Sequence, residues 1–196
     1  LQKLNTPYLD LYLIHSPNTG RLVETWDALL HLQQQGKVRS VGVSNFGIQH
    51  LEALNAHGRA TPVVNQFEMH PMNYQERLPL LEYCQKRGIL VQAYGSLFFG
   101  KTEFLERAEV TTVAKAHPGY SAAHVLLRWG MQMGFQIIPK SVKKHRIEDN
   151  LKALEFGLSE EELRLLSGMQ GTLGAYWQPL DAPVDVGDTT RGKAEL

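Results

Sequence analysis

The feature that most constrains the fold of this chain is a regular alternation of short apolar runs with longer amphipathic ones. Runs of five to eight aliphatic and aromatic residues that end at Pro, Gly or polar residues are typical of buried strands. Apolar residues at helical spacing, followed by a glycine, indicate amphipathic helices between them. The predicted strands are LDLYLIH, VRSVGVSN, TPVVNQFEMHP, ILVQAYGS and FQIIPKS; the predicted helices are about 22–35, 48–56 and 75–87, then AAHVLLRWGMQMG and HRIEDNLKALEF.

Strands that are regularly separated by helices predict an α/β fold with a parallel sheet. No glycine-rich dinucleotide fingerprint or phosphate-binding loop follows any predicted strand, which disfavours a Rossmann or P-loop fold. We therefore expect a (β/α)8 TIM-barrel type fold with about five of the eight strands, in one domain over residues 1–196. The Gly-, Pro- and Asp-rich stretch from about residue 168 to 196 is expected to be an irregular C-terminal tail.

Composition excludes several classes of function. Lys and Arg number 20, as do Asp and Glu, so no global charge attracts nucleic acid or a membrane surface. No apolar run is long enough to span a bilayer. The single cysteine, Cys84, rules out an internal disulfide framework and suits the reducing cytoplasm, where we expect it to be a small buried hydrophobe.

Polar residues stand at the end of every predicted strand, where an apolar core would not need them. In a parallel barrel these ends lie on one face, and active sites form there. Five separate segments therefore contribute to one candidate site. Its members are His15, Ser44, Asn45, Gln66, Glu68, Tyr94, Lys140 and Ser141.

The chemistry of this set suggests a ligand. The hydroxyl and amides of Ser44, Asn45 and Gln66 can pair with a planar carboxamide. Tyr94 offers an aromatic face for stacking. The basic stretch KSVKKHR, residues 140–146, precedes a predicted helix and suits a phosphate. Carboxamide, ring and phosphate together describe a nicotinamide nucleotide.

The same residues carry a resemblance to a known family. The stretches LYLIHSP, GKVRSVGVSNF, VVNQFEMHP and IIPKSVKKHRIEDN resemble motifs in the C-terminal part of the aldo-keto reductases, over about residues 1–178. The sequence departs from the common pattern of that family at Ser16, Gly95 and Asp149.

The resemblance implies a role for each candidate residue. His15 matches the active-site histidine, and Ser44, Asn45 and Gln66 match residues that hold the nicotinamide carboxamide. Tyr94 matches the ring stacked on the nicotinamide. The remaining matches are Ser96 and Leu97 in the pyrophosphate loop, Lys140, Ser141 and Arg146 around the 2′-phosphate, and Asp149 and Asn150 at the adenine.

The implied activity is reduction of a small aldehyde or ketone to an alcohol with NADPH as the hydride donor. The resemblance also implies that the family's aspartate, proton-donating tyrosine and lysine lie on earlier strands than those of this chain, which begins LQKLNTPYLD without Met. We therefore expect a fragment of low activity, whose oligomeric state the sequence does not indicate.

Two alternatives stay open from the sequence. One is a non-catalytic nucleotide-binding or regulatory module, like the reductase-shaped subunits attached to some ion channels. The other is a different barrel enzyme that uses a phosphate site after its last strand, which explains KSVKKHR but not the carboxamide and ring residues.

The other histidines are expected to be non-functional. His70 is interpreted as structural. The rest lack metal-ligand spacing, and no metal site is expected; we predict surface roles for His31, His50, His57, His117, His124 and His145. Trp129 is expected in the core, and Trp177 is interpreted either as a wall of the substrate pocket or as an anchor of the tail.

Overall fold

A computed structural model describes residues 1–171, 173 and 179–189. Trp177 lies outside them. Five strands form one parallel sheet in the order β1-β2-β3-β4-β5. Their bounds are β1 (Leu9–Ile14), β2 (Val38–Ser44), β3 (Val64–Glu68), β4 (Leu90–Tyr94) and β5 (Gln136–Ile137).

Helices connect each strand to the next. They are α1 (Leu22–Gln34), α2 (Ile48–Ala56), α3 (Tyr74–Lys86), α4 (Thr102–Leu105), α5 (Ala108–Ala116), α6 (Ala122–Gln132), α7 (Lys144–Asp149) and α8 (Glu160–Ser167). The alternation of parallel strands with helices is that of a (β/α)8-type fold, here with five strands.

The register of the first three strands fixes where their carboxyl ends lie. Ile14 of β1 is opposite Val43 of β2, and Ser44 of β2 is opposite Gln66 of β3. Gly42 allows this close pairing, because a Cβ atom there would lie 2.7 Å from Leu13 and 2.8 Å from the carbonyl oxygen of Val64.

The chain divides into two compact units, and the first contains Leu1–Phe67, Leu80–Leu90 and the described residues of Trp177–Leu196. Its core includes the fully buried side chains of Trp26 and Phe46. The Trp26 indole N–H donates to the carbonyl oxygen of Ala60 at 3.1 Å. Beside it, Arg59 forms two hydrogen bonds of 2.7 Å to the carboxylate of Asp27, which joins α1 to the loop after α2.

The second unit contains Glu68–Pro79 and Val91–Tyr176. Its core is built on α6, whose Leu126, Leu127 and Trp129 are buried, as the sequence predicts for Trp129. The Trp129 indole N–H donates to the hydroxyl oxygen of Ser167 at 3.0 Å, which ties α6 to the end of α8.

The predicted fold class and the five strands are confirmed, while some element bounds differ. The fifth strand is only two residues long, although the sequence suggests seven. Ile138 still donates its N–H to the carbonyl oxygen of Ala93, but Pro139 has no N–H with which to continue the ladder. The helix predicted over HRIEDNLKALEF is α7 followed by a 3-10 helix, Asn150–Leu154.

Within the residues described, none of the helices has the length and apolar character needed to cross a membrane.

Cys84 is fully buried on α3, as expected, and burial raises the pKa of its thiol to about 11. Such a thiol is unreactive at neutral pH.

We predict that replacing Asp27 by Ala destabilises the fold by about 3 kcal/mol, because Arg59 is left as a buried charge without its partner. The two side chains of this pair are only 6% and 12% exposed. The free energy of unfolding in urea measures the effect.

Asp10→Ala is the matched control, since it also removes one carboxylate from an arginine pair. Asp10 and Arg39 are largely exposed, so we expect a loss of less than about 1 kcal/mol. Equal losses in the two variants would contradict a special role for the buried pair.

Candidate functional site

The carboxyl ends of β1, β2 and β3 are tied together by Ser44 and Asn45. The Asn45 side-chain amide donates to the carbonyl oxygen of His15 at 3.0 Å and to the hydroxyl oxygen of Ser44 at 3.0 Å. The Ser44 hydroxyl donates to the carbonyl oxygen of Gln66 at 2.8 Å, and the Asn45 backbone N–H donates to the same oxygen at 2.7 Å. The structure therefore brings together four of the predicted site residues.

This network decides which atoms of Ser44 and Asn45 could meet a ligand. Both N–H bonds of the Asn45 amide and the O–H bond of Ser44 already point at protein acceptors. A carboxamide would therefore be met by the oxygen atoms of these two side chains. Both residues are only 2% exposed, whereas Gln66 is half-buried and His15 is exposed.

The backbone around Asn45 explains why an asparagine stands there. Its φ angle is 61°, in the left-handed region that asparagine adopts more readily than most residues. The next residue, Phe46, is held by Asn65: the Asn65 amide donates to the Phe46 carbonyl oxygen at 2.8 Å, and its oxygen accepts the Phe46 N–H at 3.3 Å. The chain is thereby fixed as it leaves β2 for α2.

A second group surrounds the end of β4 in the other unit. The Met69 N–H donates to the carbonyl oxygen of Tyr94 at 3.0 Å, and the Tyr94 phenol is hydrogen-bonded to the backbone of Glu68. The carboxylate of Glu68 lies 2.9 Å from Nε2 of His70. Asn73 closes the turn, since its amide donates to the Glu68 carbonyl oxygen and its oxygen accepts the His70 N–H.

These contacts give Glu68 and His70 a structural role in the turn that follows β3. The His70 ring is 2% exposed and packs against Phe98, with ring centres 5.0 Å apart. Burial, together with the charge of Glu68, raises the pKa of Tyr94 to about 12. The phenol thus stays neutral at physiological pH.

The loop after Tyr94 contains Ser96 and Leu97. The Ser96 hydroxyl is buried and donates to the carbonyl oxygen of Ala93 at 3.4 Å, while Leu97 is half-buried. Gly95 has a φ angle of 69°, and a Cβ atom there would lie 2.9 Å from the ring of Phe99 and 3.2 Å from Glu68. A glycine therefore suits this turn better than the serine common in the family pattern.

The basic stretch after β5 is mostly exposed. Ser141 caps its turn, accepting the N–H of Lys143 at 3.1 Å. Among the described residues, no carboxylate pairs with Lys140, Lys143 or Arg146. In this part of the chain their charges thus have no acidic partner, which suits the binding of an anion.

Asp149, predicted to contact adenine, is already bound to protein groups. Its two oxygens lie 3.0 Å from Nε2 of His124 and 2.7 Å from the ammonium of Lys152. The hydrogen bond from Lys152 lowers the pKa of the Asp149 carboxyl. Asn150 begins the 3-10 helix that follows.

The prediction of surface roles is wrong for His50 and His124, which are 0% and 3% exposed. Each is the third residue of its helix, and its Nδ1 atom accepts the backbone N–H of the residue before the helix, Gly47 or Ser121, at 3.0 Å. The capping box, a Ser or Thr followed three positions later by a Glu or Gln, is a known sequence signal for such an interaction. SAAH has the serine of this signal with His at the last position, whereas GIQH begins with a glycine and lacks the signal.

Sequence reasoning also missed Asn65 and Asn73, which hold the segments that follow β2 and β3. A polar residue within a buried strand was the available signal for Asn65, since such a residue needs hydrogen-bond partners. Asn73 had no such signal.

In the described part of the chain, no cluster of His, Cys, Asp and Glu could hold a metal ion.

Comparison with known proteins identifies the family. The family model described as "Aldo/keto reductase family" matches residues 1–170, and this chain belongs to that family. The resemblance found in the sequence motifs is thereby confirmed.

Individual relatives agree with this assignment. The chain is 42% identical to glyoxal reductase of Bacillus subtilis (strain 168) over 163 residues, which is 83% of this chain and 57% of that protein. The crystal structure of Gox0644 in its apo form matches with a TM-score of 0.83 at 38% identity, and the match covers 93% of this chain and 66% of that one. A mutant of Gox0644 has been crystallised in complex with NADPH, and it matches with a TM-score of 0.82. The chain thus spans less than two thirds of these relatives.

We predict that Tyr94→Phe changes how stability depends on alkaline pH. In the folded protein the pKa of Tyr94 is about 12, above its ordinary value of 10, so the unfolded chain loses this proton first. The stability that the phenol contributes is fully present below pH 10 and is lost as pH rises toward about 12.

Urea unfolding of both proteins below and above pH 10 measures this. The free-energy advantage of the wild type over Tyr94→Phe should shrink above the ordinary tyrosine pKa. An advantage that is unchanged across this range would show that Tyr94 titrates normally.

Proposed function

We propose that this protein is an NADPH-dependent reductase of small aldehydes and ketones. The observation that carries the proposal is the hydrogen-bonded group at the ends of β1, β2 and β3, in a chain that belongs to the aldo-keto reductase family. Further support comes from the relatives, one named a glyoxal reductase and another crystallised with NADPH.

Ser44, Asn45 and Gln66 suit the nicotinamide end of the cofactor. The oxygens of Ser44 and Asn45 accept the N–H bonds of a carboxamide, and the Gln66 amide contacts its carbonyl oxygen. The neutral phenol ring of Tyr94 stacks on the nicotinamide. When bound, NADPH supplies the hydride.

His15 serves the substrate in this proposal. Its exposed side chain directly follows β1, while its carbonyl oxygen is held by Asn45. An imidazole N–H directed at the carbonyl oxygen of the substrate stabilises the negative charge that grows there during hydride transfer. The hydrogen bond from the Asn45 side chain keeps the backbone of His15 in place for this interaction.

A different set of residues is proposed for the phosphate end of the cofactor. Ser96 and Leu97 border the pyrophosphate, and Lys140, Ser141 and Arg146 bind the 2′-phosphate. The guanidinium of Arg146 matches the geometry of a phosphate through two parallel hydrogen bonds. Asn150 contacts the adenine. Asp149 contacts it as well, while its carboxylate keeps His124 and Lys152 as partners.

We predict that Arg146→Ala weakens NADPH binding by roughly tenfold or more, because hydrogen bonds between charged groups contribute about 1.5–3 kcal/mol. NADH lacks the 2′-phosphate, so its affinity should not change. Titration of the purified chain, followed by nucleotide fluorescence, measures both affinities.

Lys144→Ala is the matched control. It removes one positive charge from the same helix, but the ammonium of Lys144 lies 3.6 Å from Glu148 and is already paired. We expect little change in this variant. Equal weakening in both variants would point to general electrostatic attraction and would contradict a phosphate site at Arg146.

The alternative is a non-catalytic nucleotide-binding module. The motifs matched here include the cofactor residues and His15, and a module of this kind could keep these residues without turnover. Consumption of NADPH in the presence of glyoxal separates the two functions, because a module binds the nucleotide without oxidising it.

A cytoplasmic location and a small carbonyl compound as the substrate complete the proposal. The buried, unreactive thiol of Cys84 is compatible with a reducing compartment.

A further inference from the structure

The segment 179–187 crosses the start of α1. The N–H groups of Leu22 and Val23 donate to the carbonyl oxygens of Asp185 and Val186, at 2.7 Å and 3.1 Å. The first N–H groups of a helix have no partner within the helix, and the residue before α1, Arg21, forms no side-chain cap. Carbonyl groups of the segment therefore take the place of a cap.

The same segment is attached to the start of α2. The side-chain amide of Gln49 donates to the Leu180 carbonyl oxygen at 2.6 Å, and Nε2 of His50 lies 2.8 Å from the Ala182 carbonyl oxygen. A Cβ atom on Gly47 would lie 2.2 Å from the Leu180 carbonyl oxygen. Only a glycine before α2 permits this approach.

The hydrogen bonds of His50 define its protonation state. Its Nδ1 accepts the N–H of Gly47 at 3.0 Å, so the single proton of the neutral ring must lie on Nε2, which donates to Ala182. The ring is fully buried, and burial lowers its pKa. One neutral imidazole thus joins the start of α2 to the C-terminal segment.

The start of α2 is directly connected to the proposed cofactor residues. Phe46 follows Asn45 in sequence, and its ring packs against His50 with ring centres 5.6 Å apart. Asn65 holds both backbone groups of Phe46. A displacement of His50 would therefore shift Phe46 and, through it, the residues at the end of β2.

We propose that His50 is a positioning residue that clamps the segment 179–187 onto α1 and α2 and thereby fixes Ser44 and Asn45 for the cofactor. The last part rests on the proposed function. The clamp itself involves only protein groups, so it can be measured without a ligand.

Two variants separate the bonds of the imidazole. His50→Asn places an oxygen where Nδ1 accepts from Gly47 but does not reach Ala182, whereas His50→Gln places an N–H donor where Nε2 reaches Ala182. We expect His50→Asn to raise hydrogen exchange at the amides of Leu22, Val23 and Gly187 by roughly five- to tenfold, as the loss of one hydrogen bond predicts. His50→Gln should stay closer to the wild type at these amides.

The NADPH dissociation constant of His50→Asn should rise several-fold relative to that of His50→Gln. Faster exchange with unchanged NADPH binding would overturn the positioning role. Unchanged exchange at Leu22 and Val23 in His50→Asn, or a larger effect in His50→Gln, would overturn the clamp. If the wild type binds no NADPH, the proposed function fails, and the exchange data still decide on the clamp.

The wild type provides a test that does not depend on the folding of a variant. A clamped segment opens as one unit, so the amides of Leu22, Val23 and Gly187 should exchange with the same opening free energy. Unrelated values for these amides would overturn the proposal.

Discussion

The hydrogen bonds of Ser44 and Asn45 are the interactions on which the rest of the candidate site depends. They cross-link three adjacent parallel strands, with the carbonyl groups of His15, just after β1, and of Gln66, within β3, as acceptors. Asn45 satisfies the carbonyl of His15 with its side chain and that of Gln66 with its backbone. The same hydrogen bonds therefore hold His15, which is proposed for the substrate, and the residues proposed for the nicotinamide.

A site built in this way is rigid because its polar groups are already satisfied by the protein. Buried hydroxyl and amide groups without partners would cost free energy, so their donors are committed before any ligand binds. The acceptor oxygens then define the ligand by complementarity, since they favour a group that brings its own N–H bonds. A carboxamide is such a group.

Two buried histidines connect the starts of helices to other segments of the chain. His50 and His124 each accept the N–H at the start of a helix with one nitrogen and reach a distant segment with the other. Each imidazole therefore caps its own helix and also connects that helix to another segment of the chain. An aliphatic residue at either position could fill the space but could not form these two bonds.

Apolar periodicity was sufficient to predict the strands, because it is a local property, and the resemblance of the motifs was sufficient to predict the family. The sequence did not reveal that the Ser44 and Asn45 donors are committed to His15 and Gln66, since those bonds depend on register. Nor did it reveal the burial of His50 and His124, whose partners Ala182 and Asp149 are 132 and 25 residues away. Long-range partners of this kind leave no periodic signal.

The most direct test of the proposed cofactor site is amide NMR of the chain during titration with NADPH and NADH. We expect saturable shift changes at Asn45, Gln66 and Tyr94 with both nucleotides, and at Ser141 and Arg146 mainly with NADPH. Changes confined to the opposite strand ends, such as Lys37 and Ile89, or no saturable change at all, would contradict the claim that the carboxyl ends of these strands bind the cofactor.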